Sequence, residues 1–211
     1  MLISFDGIDG CGKSTQIEKI ANILRSNGFK VLTTKDPGDN KISEQIRSIL
    51  LNPENSQLCN ISELYLFLAA RRQNYEQVIL PVLKDNYIVL TDRWIASSYA
   101  YQGFGKSLFF LDSDDEIETS IIEKSGKIPN ISIILDLPIE IAFERIKNKV
   151  KDRIETNNLE FYKKVRQGFI AYCEFYKNSI IVNSNQSVEN VTIEIIENLK
   201  QFEMFENLKI N

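Results

Sequence analysis

Residues 5–15, FDGIDGCGKST, decide how this chain is read. Gly7, Gly12, Lys13 and Ser14 fit the spacing G-x-x-x-x-G-K-[ST], in which glycines let backbone N–H groups turn toward a phosphate chain. The helix expected to follow adds the positive end of its dipole. In such a loop Lys13 brings a mobile cation to the β- and γ-phosphates, and the Ser14 hydroxyl offers an oxygen to Mg²⁺. With glycine at roughly 7% of residues, chance matches arise on the order of once in a hundred chains of this length. Here the match also stands between a strand-like apolar run, LISF (2–5), and a helical repeat at Ile17, Ile20, Ala21 and Leu24. The loop alone leaves open where a phosphoryl group goes: to water, to a second small molecule, or nowhere, as in a switch.

Outward from the loop, the pattern alternates. KVLTT (30–34), YIVLTD (87–92), ISIILDLP (131–138) and SIIVNS (179–184) read as further strands. Helices are expected from Ile42 to near Asn52-Pro53, over 61–83 with a kink or stop at Pro81, and over 114–125, 139–150, 158–177 and 188–200. Strands alternating with helices imply an α/β fold, a mostly parallel sheet covered on both faces. Asp92 ends a buried strand, where a carboxylate associated with Mg²⁺ sits in such proteins; its plain alternative is a cap for the next helix. The acidic run DSDDEIE (112–118) reads as a solvated helix start.

Composition narrows the chemistry. The 211 residues suit one α/β domain, and the net charge of −4 argues against a broad nucleic-acid footprint. There is no histidine, which excludes histidine acid–base catalysis and histidine metal sites. Cys11, Cys59 and Cys173 are distant and odd in number, so they read as reduced thiols, with Cys11 a small filler in the loop rather than a redox control. The N-terminal MLISF runs straight into the loop and no stretch approaches ~20 apolar residues, so no leader, no membrane span and a cytoplasmic location are expected.

A GTP-dependent switch is disfavoured because Asn148-Lys149 is followed by Val150 and Lys151, not by the aspartate of an N-K-x-D base reader. Transfer to a small acceptor needs a second anion site, an acceptor pocket and an element that excludes water. Lys35, Arg47, Arg71 and Arg93 are candidate cations, and Phe67 and Tyr101 offer aromatic surface. The run ERIKNKVKDR (144–153) would place Arg145 over Lys149 and Lys147 over Lys151 on a helix, like charges that repel by a few tenths of a kcal/mol until an anion arrives. It reads as a lid, or as a solvated face. Phe67 reads equally as a core aromatic.

Taken together, the chain resembles the thymidylate kinase family over nearly its whole length. The resemblance rests on GIDGCGKSTQ (7–16), KDPGDN (35–40), LFLAARR (66–72), DRWIASSYAYQG (92–103), LDLP (135–138), DRIE (152–155) and VNSNQS (182–187). It implies a five-stranded parallel sheet of the P-loop nucleoside monophosphate kinase type with a short lid at about 144–153, forming a homodimer. The implied reaction is ATP- and Mg²⁺-dependent phosphorylation of dTMP to dTDP. By position, Gly7, Asp9, Gly10, Cys11, Gly12, Lys13, Ser14 and Thr15 would hold the ATP phosphates, with Mg²⁺ at Ser14 and Asp92, and Ser184 would lie on the adenine side. Phe67 would stack on thymine and Arg71 would bond its O4 edge. Ser98 and Gln102 would contact the base, and Tyr101 would crowd the 2′ position. Arg93 and Arg47 would hold the 5′-phosphate beside Lys35 and Pro37, with Asp9 near the 3′-hydroxyl. Lys13, Asp9 and Arg93 would be catalytic, joined by a lid cation among Arg145, Lys149 and Arg153.

Two departures stand out. Lys35-Asp36-Pro37-Gly38-Asp39-Asn40 replaces the family's usual Arg-Glu-Pro-Gly-Gly-Thr, and Gly10 stands where one branch carries an arginine, so the resemblance is to the branch with its cation in the lid. The acceptor would already be an anionic phosphate oxygen, its second pKa being about 6, so no strong base is required. Rival readings are a kinase for a deoxynucleoside or another nucleoside monophosphate, and a nucleotide-binding regulatory module with no transfer step.

Overall fold

The computed structural model describes residues 1–108, 123–148 and 152–209. Strands β1 (Leu2–Asp6), β2 (Val31–Lys35), β3 (Ile88–Asp92), β4 (Ile131–Asp136) and β5 (Ser179–Asn183) form one sheet in the order β2-β3-β1-β4-β5. Each neighbouring pair is parallel, with Ser4 beside Thr91 on one side and Ser132 on the other. All five residues of β1 are buried, as a strand covered on both faces requires. The chain leaves β1 toward β2 on one side, whereas β4 leads to β5 on the other. A crevice therefore opens at the carboxyl ends beside β1, where ligands of such sheets bind.

Helix α1 (Lys13–Ser26) starts inside the glycine loop and buries the expected Ile17, Ile20, Ala21 and Leu24. Helix α2 (Lys41–Leu51) is capped by Asn40, whose side chain accepts from the Ser43 amide at 2.9 Å. Its apolar repeat is only partly used: Leu50 is fully buried, while Ile42 and Ile49 stay exposed. The helix expected over 61–83 runs as α3 (Asn60–Asn74), a wider π turn at Tyr75–Ile79, and α4 (Leu80–Lys84). Pro81 has no N–H to give and would crowd the preceding turn, and the widened turn before it absorbs both demands.

Residues 95–105 form helical turns that no sequence periodicity predicts. After β3, α5 (Ile95–Ser98) continues as a π turn over Tyr99–Gly105. Ile95 through Ser98 and Ala100 through Gly103 are buried, so no polar face marks a helical period. This segment packs on α7 (Leu159–Phe175), where a Cβ on Gly168 would meet the Ala100 Cα at 2.8 Å. Helix α6 (Ile139–Ile146) follows β4, which ends at Asp136 rather than at residue 138 because Pro138 begins the helix turn. Helix α8 (Val188–Leu199), capped by Ser187, closes against α1. Of the expected lid, 149–151 lie outside the described residues, as do the acidic run 112–118 and residues 114–122 of the helix expected over 114–125; its residues 123 and 124 are helical.

Candidate active site

The glycine loop joins the end of β1 to the start of α1, and its backbone is built for glycine. Gly10 sits at φ 83, where a Cβ would strike the Ala142 carbonyl at 2.7 Å. Gly12, at φ 96, faces open space. No side chain caps the N-terminus of α1 and its first turn holds no acid, so the positive end of the helix is left for an anion. The Lys13 ammonium donates to the carbonyls of Gly7 and Ile8, both at 3.1 Å, folded over the loop it serves.

The end of β3 completes the floor. The Ser14 hydroxyl donates to Asp92 Oδ2 at 3.1 Å, and Asp92 Oδ1 is buried with no partner among the described residues. A hydroxyl and an orphaned carboxylate oxygen side by side form a hard oxygen donor set that fits Mg²⁺. The next residue, Arg93, takes φ 70, which turns its side chain across the crevice. It donates to the Gly7 carbonyl at 2.9 Å and to Asp9 Oδ1 at 2.7 Å, and lies 5.0 Å over the Tyr101 ring. Burial opposes its charge, but Asp9 and its other neighbours overcome that and hold the guanidinium pKa above its ordinary value. Burial pushes the Tyr101 phenol up despite Arg93, so it stays protonated.

Three cavities run together here. The loop cavity is lined by Asp9, Gly10, Gly12, Lys13, Ser14, Thr15, Lys35, Asp36, Arg47, Asp92, Arg93, Arg145 and Ile146. It shares Asp9, Asp36, Arg47 and Arg93 with an aromatic cavity that Pro37, Phe67, Arg71, Ser97, Ser98, Tyr101 and Gln102 help to line. It shares Gly10, Gly12, Thr15 and Arg145 with a third cavity, which reaches Cys11, Ser184 and Gln186. Five cations thus face a space flanked by a pocket at either end.

The aromatic cavity is built on α3. Arg71 is 1% exposed: its Nε donates to Asp36 Oδ2 at 2.6 Å and its Nη2 to Ser98 Oγ at 2.7 Å and the Trp94 carbonyl at 3.2 Å. Burial raises the Asp36 carboxyl while Arg71 pulls it back. Arg72, its exposed neighbour, pairs with Glu76 instead, so Arg71 is the one that faces the pocket. Phe67 is both core and lining, 9% exposed at the cavity wall. Arg47 donates to the Pro37 carbonyl at 2.7 Å, and Lys35 is held by Glu44 at 2.9 Å.

Some expected residues stand elsewhere. Gly7 lines none of the cavities; its carbonyl anchors Lys13 and Arg93. Arg153 also lines none: its guanidinium goes to Glu63 and to the Leu50 carbonyl, both at 2.7 Å. Lys149 lies outside the described residues. Of the cations expected in a lid, Arg145 is the one described at the loop, donating to the Gly10 carbonyl at 3.2 Å and to that of Ser184 at 3.4 Å. Sequence reasoning missed Asp36, Asp152, Ile154 and Glu155, which also line the aromatic cavity. The signal was present in KDPGDN and DRIE, but an acid beside a cation reads as surface until a partner buries it.

Comparisons with known proteins agree with this geometry. A family model described as Thymidylate kinase matches residues 5–195. A thymidylate kinase of Fervidobacterium nodosum is 38% identical over 198 residues, 93% of this chain and 97% of that one. A thymidylate kinase of a Geobacillus species is 40% identical over 192 residues, 89% of this chain and 90% of its own. The crystal structure of thymidylate kinase from Ehrlichia chaffeensis superposes with a TM-score of 0.75 at 28% identity, covering 95% of this chain and 98% of that one. The five-stranded parallel sheet is thus that of a P-loop nucleoside monophosphate kinase, and the chain belongs to the thymidylate kinase family.

Proposed function

We propose that the protein transfers the γ-phosphoryl group of ATP to the 5′-phosphate of dTMP, giving dTDP and ADP. The observation that carries this is the run of three cavities, with the cationic loop cavity in the middle. Two nucleotides lying end to end, their phosphates meeting over Lys13, Arg93 and Arg145, match that layout. A switch or a hydrolase has no use for the aromatic cavity.

In this reading the adenine side of ATP lies by Ser184 and its phosphates lie on Gly10 through Thr15. Ser14 and Asp92 would hold Mg²⁺, which, when bound, neutralises charge on the β- and γ-phosphates. Phe67 offers a face for thymine, Arg71 a donor for O4, and Ser98 and Gln102 polar contacts to the base edge. Tyr101 closes the space at the 2′ position, Asp9 lies near the 3′-hydroxyl, and Arg47, Lys35 and Pro37 bound the 5′-phosphate. A phosphate oxygen of dTMP attacks the γ-phosphorus in line while the bond to the ADP oxygen breaks. The acceptor oxygen carries no proton to remove, so the work is positioning and charge neutralisation by Lys13, Arg93 and Arg145.

The test compares dTMP, dUMP, dCMP and thymidine as acceptors with ATP and Mg²⁺, against ATP hydrolysis with no acceptor. Preferred turnover of dTMP is expected. Turnover of thymidine in preference, or nucleotide uptake with no transfer, would overturn the reading. A cytoplasmic homodimer accompanies it. No described helix is long and apolar enough to cross a membrane, and Ile61 and Tyr65 on α3 with Phe175 on α7 expose apolar surface. Sedimentation at micromolar concentration checks the dimer.

A further inference from the structure

A buried carboxylate behind the aromatic cavity is used by no step above. Glu63, on the first turns of α3, is 1% exposed. Its Oε1 accepts from Gln102 Nε2 at 2.9 Å, and its Oε2 accepts from Arg153 Nη2 at 2.7 Å. Gln102 is 2% exposed and lines the cavity. Arg153 is fastened as well to the C-terminal end of α2, through its Nε to the Leu50 carbonyl at 2.7 Å and its amide to the Leu51 carbonyl at 3.1 Å. Three separate segments therefore meet on one carboxylate.

An amide side chain can present either its oxygen or its NH₂, and the two are nearly equal in shape. A carboxylate paired with a guanidinium only accepts, so it commits Gln102 to donate its NH₂ inward. The amide oxygen, which no donor among the described residues reaches, is then the end left for the cavity. Thymine carries a donor at N3 where cytosine carries an acceptor. We infer that Glu63 is a positioning residue that fixes the orientation of the Gln102 amide and so selects an acceptor base with a ring N–H, with Arg153 holding Glu63 in place. This rests on the reading of the aromatic cavity as the site of dTMP.

The Glu63→Gln variant gives the inference a direction. Arg153 would still donate to the oxygen of the new amide, turning its NH₂ toward Gln102. Gln102 must then accept, and its own NH₂ swings toward the base. We expect KM for dTMP to rise about tenfold, the worth of about 1.4 kcal/mol, with kcat changed little. The preference for dTMP over dCMP, with dCMP measured both as substrate and as competitor, should narrow by at least that factor. Glu63→Asp keeps an acceptor-only group and should hold that preference within about threefold of the parent. A Glu63→Gln protein with the parent's preference, or with both nucleotides weakened alike, overturns the inference. If that variant does not fold, loss of the preference in Glu63→Asp overturns it instead. A parent protein that takes up no dTMP would refute the proposed function itself, which separates the two failures.

Discussion

Replacing Arg71 by alanine should injure the protein in two separable ways. Arg71 and Asp36 are each 1% exposed and meet at 2.6 Å, and Asp36 Oδ1 already lacks a partner among the described residues. Removing the guanidinium leaves a buried, uncompensated carboxylate, a loss of about 3–5 kcal/mol, or roughly 6–20 °C in Tm for a chain of this size. Burial already raises the Asp36 carboxyl and Arg71 opposes that rise, so in Arg71→Ala its pKa climbs further. A raised folded-state pKa means that the protonated form folds better. Its stabilising contribution is complete below the unfolded value of about 3.9 and is lost as pH rises through the folded value. The deficit of Arg71→Ala is therefore largest near neutrality and shrinks toward acid. Adding Asp36→Asn should restore part of the stability and flatten that pH dependence. Separately, dTMP loses a charged hydrogen bond worth about 1.5–3 kcal/mol, so calorimetry should show its affinity falling about tenfold to beyond a hundredfold. Binding of a non-hydrolysable ATP analogue should stay within a few-fold. Urea melts from pH 5 to 8 and the two titrations decide the matter. A deficit independent of pH would refute the buried-pair argument, and equal loss of both ligands would refute the assignment of Arg71 to the base.

Other outcomes follow from the same geometry. Arg145→Ala should lower kcat by about a thousandfold, as removal of a transition-state cation does, whereas Arg153→Ala should act chiefly on KM for dTMP; steady-state kinetics separates them. Ser14→Ala should raise the Mg²⁺ concentration needed for half-maximal rate, measured by metal titration, while leaving the melting temperature nearly unchanged. Cys59 is exposed and its thiol pKa is lowered by its hydrogen bond to Ser62, while burial keeps the Cys11 thiol pKa raised against the pull of Lys13. Iodoacetamide at pH 7.5 should therefore modify Cys59 well before Cys11, as peptide mass spectrometry will read. Gly168→Ala should destabilise by about 1–3 kcal/mol, since the added methyl meets backbone at Ala100.

The inner strands β1, β3 and β4 were legible because a parallel sheet buries both of their faces and leaves short apolar runs bounded by Asp, Asn or Gly, and the half-exposed edge strands β2 and β5 keep similar β-branched runs. The glycine loop was legible because its chemistry is contiguous. Residues 95–105 were not: their burial is all-round, and periodicity has no polar side to register against. The Arg71–Asp36 and Glu63–Gln102–Arg153 contacts span 35 residues or more of chain, from 35 to 90. No local pattern encodes them, and family resemblance supplied Arg71 and Gln102 without the acids that hold them. Arg153 shows the converse: a resemblance by position put it with the lid, and the fold ties it to α2 and α3.

Asp92, Arg93 and Trp94 are consecutive, yet they serve three different neighbourhoods: Ser14 on the loop, Asp9 across the crevice, and the fully buried interior, where the indole donates to the Lys127 carbonyl at 2.8 Å. That divergence depends on a single backbone reversal at Arg93. Lengthening or shortening the chain by one residue anywhere in this triplet would rotate every side chain into its neighbour's compartment at once. A one-residue insertion or deletion here would thus disturb the Ser14–Asp92 contact, the Arg93–Asp9 pair and the buried indole together, whereas a substitution touches one of them at a time.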